Sequence, residues 1–139
     1  MRAYRKPVPV PDDLSRPFWD GARRHELVVL RCAACGCYVH HPRPSCPRCA
    51  GGELRPTRVS GRGTLYSFTV SHYVGAPGFE DEVPYVIVIV ELEEQVGLRI
   101  VGNLRDCPRD AVRVGMPLEV LWEDVTPEIT LPQFRPRQR

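Results

Sequence analysis

Four short segments in the second half of the chain have the residue pattern of β-strands. Residues 65–70 are rich in aromatic and β-branched side chains, and residues 98–104 and 118–123 alternate apolar with polar positions. The fourth segment, residues 85–90, is apolar throughout. Short turns connect these segments, so the pattern predicts a small closed or partly closed β-barrel.

The strand at residues 85–90 is apolar on both of its faces. Val86, Val88 and Val90 have one parity, and Ile87 and Ile89 have the other. One set must line the barrel, and the other must then be covered from outside by a helix, by the C-terminal tail or by another protein.

The first 26 residues predict an extended arm followed by a short helix. Residues 1–13 alternate proline with valine and have no helical period. Ser15 is a candidate N-cap for a helix that reaches about residue 26. Phe18 and Trp19 lie on its apolar stripe, and so short a helix cannot hide both of them alone. We therefore expect them to pack on another surface.

The last 14 residues combine apolar side chains with prolines. Ile129, Leu131 and Phe134 are too few to form a core, and the interspersed prolines argue against a regular strand. We expect residues 126–139 to run extended across a partner, although packing within the chain is the alternative. Phe18, Trp19, Ile129, Leu131 and Phe134 together form the candidate partner interface.

Four cysteines occur as two C-x-x-C pairs that ten residues separate. Two facing turns of this kind bring four thiolates into a tetrahedron, which suits zinc and leaves no open position for water or substrate. The spacing predicts a closed structural metal site. Iron in a rubredoxin-like site stays open at this stage, as do a redox dithiol and disulfides. The four predicted metal ligands are Cys32, Cys35, Cys46 and Cys49.

Charge and hydropathy limit the classes of partner. The 139-residue chain has 19 basic and 17 acidic side chains, a net charge of +2, which is far from the profile of a dedicated nucleic-acid-binding protein. No apolar run is long enough to cross a bilayer of about 30 Å, and the basic start has no apolar stretch behind it. We expect a soluble, cytoplasmic protein that does not bind membranes.

Catalytic motifs are missing from the sequence. It contains no G-x-S-x-G, no phosphate-binding P-loop, no G-x-G-x-x-G and no H-E-x-x-H. His40 and His41 follow the first cysteine pair, and we expect both to face solvent. We predict no catalytic residue.

The order of these parts resembles a known family of small proteins. Its members have an N-terminal helix, a rubredoxin-like zinc ribbon and a C-terminal OB-fold, and they were long catalogued as a domain of unknown function. The resemblance covers nearly the whole chain. It is carried by residues 18–21 (FWDG), 32–36 (CAACG), 42–44 (PRP), 46–49 (CPRC), 61–67 (GRGTLYS), 84–85 (PY) and 131–136 (LPQFRP).

The resemblance implies a mainly β fold with four parts. These are an arm and helix (residues 1–26), a zinc ribbon (27–60), an OB-fold barrel (61–125) and an extended tail (126–139). It also implies an accessory subunit, with the catalytic residues in a partner that is either a thiolase-like enzyme of the sterol-carrier type or a MaoC-like enoyl-CoA hydratase. Such complexes carry out acyl-CoA chemistry, including thiolase reactions and retro-aldol cleavage of steroid side chains. Acyl-CoA is then a ligand of the complex, with no coenzyme A-binding residue assigned.

Two other classes of function stay open from the sequence. Zinc ribbons and OB-folds also bind nucleic acids, but five glutamates oppose Arg99 and Arg105 near the barrel strands. A rubredoxin-like electron carrier is the other alternative, and its iron would colour the protein red.

Overall fold

The computed structural model describes residues 4–138 and contains one α-helix and two antiparallel sheets. The predicted arm and tail also include residues 1–3 and 139, which lie outside the described residues. Within the described range, no helix has the length and apolar character needed to span a membrane. The elements are α1 Arg16–Arg23, β1 Leu27–Cys32, β2 Tyr38–Val39, β3 Leu54–Val59, β4 Arg62–Ser71, β5 Tyr85–Leu92, β6 Arg99–Asn103, a 3₁₀ turn Arg109–Ala111, β7 Pro117–Asp124 and β8 Thr130–Pro136.

Helix α1 begins directly after Ser15, as predicted, but ends before residue 26. The Ser15 side chain does not cap the helix, because its hydroxyl accepts a hydrogen bond from the Asp12 amide instead. The helix stops where His25 takes a left-handed φ of 60°. Gly21 lets the helix approach β1, since a Cβ there would lie 2.5 Å from a methyl group of Val28.

The smaller sheet forms the base of the ribbon. Its order is β2-β1-β3, and β1 pairs with β3 from Leu27↔Val59 to Cys32↔Leu54. Five of the six β1 side chains are buried, among them Leu27 and Val29, which belong to the same apolar core as the barrel. The ribbon and the barrel therefore share a hydrophobic contact as well as a chain connection.

The larger sheet has the order β6-β5-β4-β7-β8 and curls into a nearly closed, OB-like barrel. A bulge lies in β4 between Leu65 and Ser67. The edge strands β6 and β8 approach each other at one end, where Leu104 and Phe134 form a parallel bridge and the Arg105 amide donates to the Phe134 carbonyl at 2.8 Å. The predicted mainly β fold with a zinc ribbon and an OB-type barrel is confirmed.

The two faces of β5 divide as its residue parity predicts. Val86, Val88 and Val90 point into the barrel and are at most 4% exposed. Ile87 and Ile89 point outward and are only half-buried. The main contacts of α1 are with β1, β3 and β8, and the tail pairs with β7, so neither packs mainly on this outer face.

The prediction that the tail lies across a partner is wrong. It is extended, but as β8 it pairs with β7 from Asp124↔Thr130 to Leu118↔Pro136. Phe134 is completely buried in the barrel core, and Ile129 is 5% exposed. Because β8 is an edge strand, the backbone on one of its sides has no neighbouring strand to pair with. Pro132, which has no N–H to donate, is therefore tolerated there.

A side-chain amide connects the ribbon to the barrel. Gln95, in the turn between β5 and β6, accepts a hydrogen bond from the Tyr38 amide at 2.9 Å and donates to the Tyr38 carbonyl at 3.0 Å. It thereby imitates a neighbouring strand for β2. On another side, His25 stacks on Trp122 and contacts Asp124 at 2.9 Å.

Candidate metal centre and adjoining cavity

The four predicted cysteine ligands come together at the tip of the ribbon. All four sulfur atoms lie within 4.8 Å of one another. Cys32 Sγ and Cys49 Sγ are 3.6 Å apart, and Cys35 Sγ and Cys46 Sγ are 3.7 Å apart. Zinc–sulfur bonds of about 2.3 Å in a tetrahedron require sulfur separations of roughly 3.8 Å. The donor set therefore fits a tetrahedral zinc ion, and all six cysteines of the chain are free thiols rather than disulfides.

Two tight turns position the sulfur atoms. In the first, the Gly36 amide donates to the Cys32 carbonyl at 2.9 Å, and in the second the Ala50 amide donates to the Cys46 carbonyl at 2.8 Å. Gly36 has φ 77° and Ala50 has φ 63°, so each turn ends in the left-handed region. The two turns face each other because β1 and β3 hold their bases together.

Backbone amides favour the thiolate form of two of these cysteines. Backbone N–H groups, chiefly that of Cys49, lower the pKa of Cys46 to about 6. The backbone N–H of Cys35 likewise lowers the pKa of Cys32. Bare thiolates repel one another, and a metal ion removes this repulsion. For Cys35 the Cys37 amide favours the thiolate, yet burial and the neighbouring thiols together raise its pKa to about 12.

The remaining cysteines stand apart from the cluster. Cys37 is buried beside Cys32 and Cys46, but its thiol donates to the Tyr38 carbonyl at 3.4 Å. Cys107 is half-buried near the barrel core, where burial raises its pKa. Neither belongs to the four-sulfur group.

His40 departs from the expectation that it faces solvent, whereas His41 is exposed as expected. The His40 ring packs on Phe18 with a centroid separation of 5.2 Å, and its Nδ1 atom is buried without a hydrogen-bond partner. Burial, helped by the nearby His41, lowers the pKa of His40 to about 4. The imidazole is therefore neutral at pH 7.

An apolar cavity of about 310 Å³ opens beside His40, between α1 and the two edges of the barrel sheet. Phe18 and Trp19 line it from the helix, and Leu131 lines it from β8. These three members of the predicted partner interface thus meet on one surface. The other two, Ile129 and Phe134, are buried within the chain.

Sequence reasoning missed two features of this region. Gly51 packs against the cluster, since a Cβ there would lie 3.3 Å from the sulfurs of both Cys32 and Cys49. A glycine two residues after the second C-x-x-C was the available signal. The burial of His40 had no comparable signal, because it depends on how α1 docks onto the ribbon.

Two family models match the chain in succession. Residues 19–55 match the rubredoxin-like zinc ribbon domain of ChsH2, and residues 56–123 match the C-terminal OB-fold domain of ChsH2. The ribbon match and the four-cysteine cluster together support a structural zinc ion.

Three similar proteins extend this finding. The chain is 38% identical to a chain of the Ltp2-ChsH2(DUF35) aldolase, with a TM-score of 0.82, covering 92% of this chain and 98% of that one. It is 38% identical over 103 residues to a DUF35 domain-containing scaffold protein of Methanocaldococcus jannaschii, covering 73% of this chain and 71% of the relative. It is 42% identical over 120 residues (86% of its length) to a probable enoyl-CoA hydratase alpha subunit of Thermomonospora curvata, but spans only 36% of that relative.

Proposed function

Because the chain belongs to the DUF35 family, in which a ChsH2-type zinc ribbon precedes an OB-fold domain, we propose that it is an accessory subunit of an acyl-CoA-processing complex. In this proposal the catalytic residues lie in the partner. The partner is a thiolase-like protein of the sterol-carrier type, and the complex acts as a retro-aldolase or thiolase on acyl-CoA substrates, including steroid side chains. The acyl-CoA ligand is shared by the complex.

The observation that carries this proposal is the extent of the structural match. The match covers 98% of the similar chain of the Ltp2-ChsH2(DUF35) aldolase. A scaffold protein of the same family supports the non-catalytic role.

The uncovered outer face of the barrel supports a protein partner. Ile87 and Ile89 on β5 are half-buried, and Val101 beside them on β6 is 51% exposed. Tyr66 continues the patch, with the Arg99 guanidinium 3.7 Å from its ring centroid. A contiguous apolar patch of this kind is typical of an interaction surface. We assign the partner contact to these residues and to Phe18, Trp19 and Leu131 at the adjoining cavity.

The ribbon has a structural part in the proposed complex. We propose that Cys32, Cys35, Cys46 and Cys49 ligate one zinc ion, whose closed coordination takes no part in the chemistry. The ion holds the two turns together. Because the turns extend from β1 and β3, it also stabilises the surface on which α1 packs. None of the cysteines forms a disulfide, which suits a reducing compartment, so we place the complex in the cytoplasm.

Co-expression tests the proposal. The chain is produced with a thiolase-like protein of the sterol-carrier type, and affinity purification of one is expected to recover both. Ile89→Lys places a charge on the outer face and is expected to abolish the complex, whereas Val114→Lys, at a position that is 66% exposed, leaves it intact. Acyl-CoA turnover by the isolated chain, or an unchanged complex with Ile89→Lys, would contradict the proposal.

A MaoC-like hydratase is the second candidate partner. The identity of 42% to a probable enoyl-CoA hydratase alpha subunit favours it specifically. The same co-purification with a hydratase-like protein decides between the two.

A further inference from the structure

The barrel is open along part of the seam between its edge strands. Near Leu104 and Phe134, β6 and β8 are joined, and the Asn103 amide also donates to the Gln133 side chain at 2.7 Å. Farther along, Val101 of β6 and Leu131 of β8 both line the 310 Å³ cavity, which we name the seam cavity. Phe18 and Trp19 of α1, together with His40, also line it.

His40 presents one hydrogen-bond donor at the seam cavity. Its Nδ1 atom is buried and unpartnered, whereas Nε2 makes no hydrogen bond among the described residues and is not sealed from solvent. A buried N–H without a partner is more unfavourable than a bare acceptor, so the proton of the neutral ring belongs on Nε2. The reachable nitrogen is therefore an N–H donor, and it selects an acceptor such as a carbonyl oxygen.

The lining of the cavity is mostly apolar and favours a neutral ligand, with polar side chains from Ser15, His40, His41 and Gln133. No Asp, Glu, Lys or Arg lines it, and aliphatic and aromatic side chains provide most of its wall. Gln133, its amide side chain, is already engaged, because it accepts from Asn103 and donates to Glu123. At roughly 30 Å³ for each water-sized group, the volume holds about ten non-hydrogen atoms. This lies at the small end of ligand pockets, which have a few polar groups in an apolar wall.

We propose that the seam cavity binds a neutral acyl group of about eight carbons, with the His40 Nε2–H donating to its carbonyl oxygen. The choice of a neutral acceptor rests on the His40 donor and the apolar lining. That the carbonyl belongs to a thioester rather than to a ketone is an assignment that rests on the proposed function. The acyl end of a substrate would then contact this subunit directly.

Titration of the zinc-loaded full chain with S-octanoyl-N-acetylcysteamine, a neutral thioester, tests the proposal. We expect saturable changes in the amide NMR signals of Gly102 and Leu131. Octanoate, which is charged, and N-acetylcysteamine, which lacks the acyl group, are expected to leave these signals unchanged. Equal binding of 2-decanone would overturn the assignment to a thioester.

Variants distinguish the cavity from the rest of the surface. Val101→Phe fills the seam and is expected to weaken thioester binding at least tenfold, while Val96→Phe, the same change at a 90% exposed turn position, leaves it unchanged. His40→Phe removes only the donor and is expected to weaken binding by about tenfold. Leu131→Phe is a second filling variant if Val101→Phe loses zinc or unfolds.

Two results would overturn the inference. They are the absence of saturable binding at millimolar thioester and unchanged thioester binding by both filling variants. The titration contains no partner protein, so its failure is distinguishable from a failure of the proposed complex.

Discussion

The tip of the ribbon and the barrel are stabilised in different ways. The barrel buries a set of large side chains, with Phe134 and Leu118 completely inaccessible. The apolar cluster at the ribbon tip is small and consists of Cys32, Cys37 and Cys46, with Leu54 packed against them. A cluster of this size cannot offset the conformational entropy of ordering two turns, so the tip depends on metal binding and the barrel on apolar burial.

Metal removal should produce the largest difference between the two regions. Cys46→Ser leaves three thiols, and we expect it to abolish stoichiometric zinc and unfold the turns around residues 32–51. Structural zinc contributes about 10–16 kcal/mol in zinc-finger peptides, which exceeds the stability of most small domains. Metal analysis and amide hydrogen exchange measure the two effects, and the amides of β5 are expected to stay protected.

Cys107→Ser is the matched control for that experiment. It is the same substitution outside the four-sulfur cluster, and we expect full zinc content. If Cys46→Ser retained both zinc and hydrogen-exchange protection of the turns, the dependence of the tip on metal would be disproved. Simultaneous loss of protection in β5 would instead make ribbon and barrel one cooperative unit.

Phe134→Ala should affect the barrel and spare the metal. The ring is fully buried and packs on Gly102, where a Cβ would lie 3.1 Å from it. Truncating such a side chain costs about 3–5 kcal/mol through lost burial and the cavity left behind. Urea unfolding followed by circular dichroism measures the loss, and zinc content is expected to be unchanged.

Tyr73→Ala is the control for aromatic truncation, since Tyr73 is 79% exposed and the expected change is within about 0.5 kcal/mol. Deleting residues 129–139 removes β8 entirely and should unfold the barrel. A stable, folded deletion variant would contradict the assignment of β8 to the core.

The structure of the ribbon tip can be predicted from its sequence to a greater extent than that of the barrel. The four cysteines lie within 18 residues, so their spacing alone indicates the tetrahedral cluster. The place of Phe134 in the barrel depends on pairing between β8 and β7, and β8 carries Pro132, which argues against a strand unless its edge position is known. The parity of β5 was predictable because alternation is a local property. The burial of His40 was not, because it arises from the contact with Phe18, 22 residues earlier in the chain.

The Gln95 contact tests whether the two regions hold each other. Gln95→Ala removes both hydrogen bonds to Tyr38, and we expect a loss of about 1–2 kcal/mol in the free energy of unfolding. Gln95→Glu keeps the oxygen that accepts from the Tyr38 amide but loses the N–H that donates to the Tyr38 carbonyl. Its loss in the free energy of unfolding should therefore lie between zero and that of Gln95→Ala. Hydrogen exchange at the Tyr38 amide should increase in Gln95→Ala. If that amide stayed as protected as in the unmodified chain, the contact would contribute nothing to the ribbon–barrel connection.

The smallest expected effect is a pH dependence at the junction of the two regions. Burial lowers the pKa of His40 from 6.5 to about 4, so below pH 6.5 the unfolded chain binds a proton that the folded chain does not. Stability contributed by the neutral ring is therefore lost as the pH falls from 6.5 towards 4. Between pH 7 and 5.5 the linkage amounts to about 1 kcal/mol.

Urea unfolding at these two pH values measures the His40 contribution by difference. His40→Phe should remove about 1 kcal/mol of the acid destabilisation, while His72→Phe, at an exposed position, should keep it. Release of zinc by protonated thiolates also destabilises the ribbon in acid, but it affects all three proteins alike and cancels in the comparison. Equal acid destabilisation of the unmodified chain and His40→Phe would mean that His40 is protonated as readily in the folded chain as in the unfolded one. The Nδ1 side of the ring would then not be buried, and the tautomer inferred for the seam cavity would lose its physical basis.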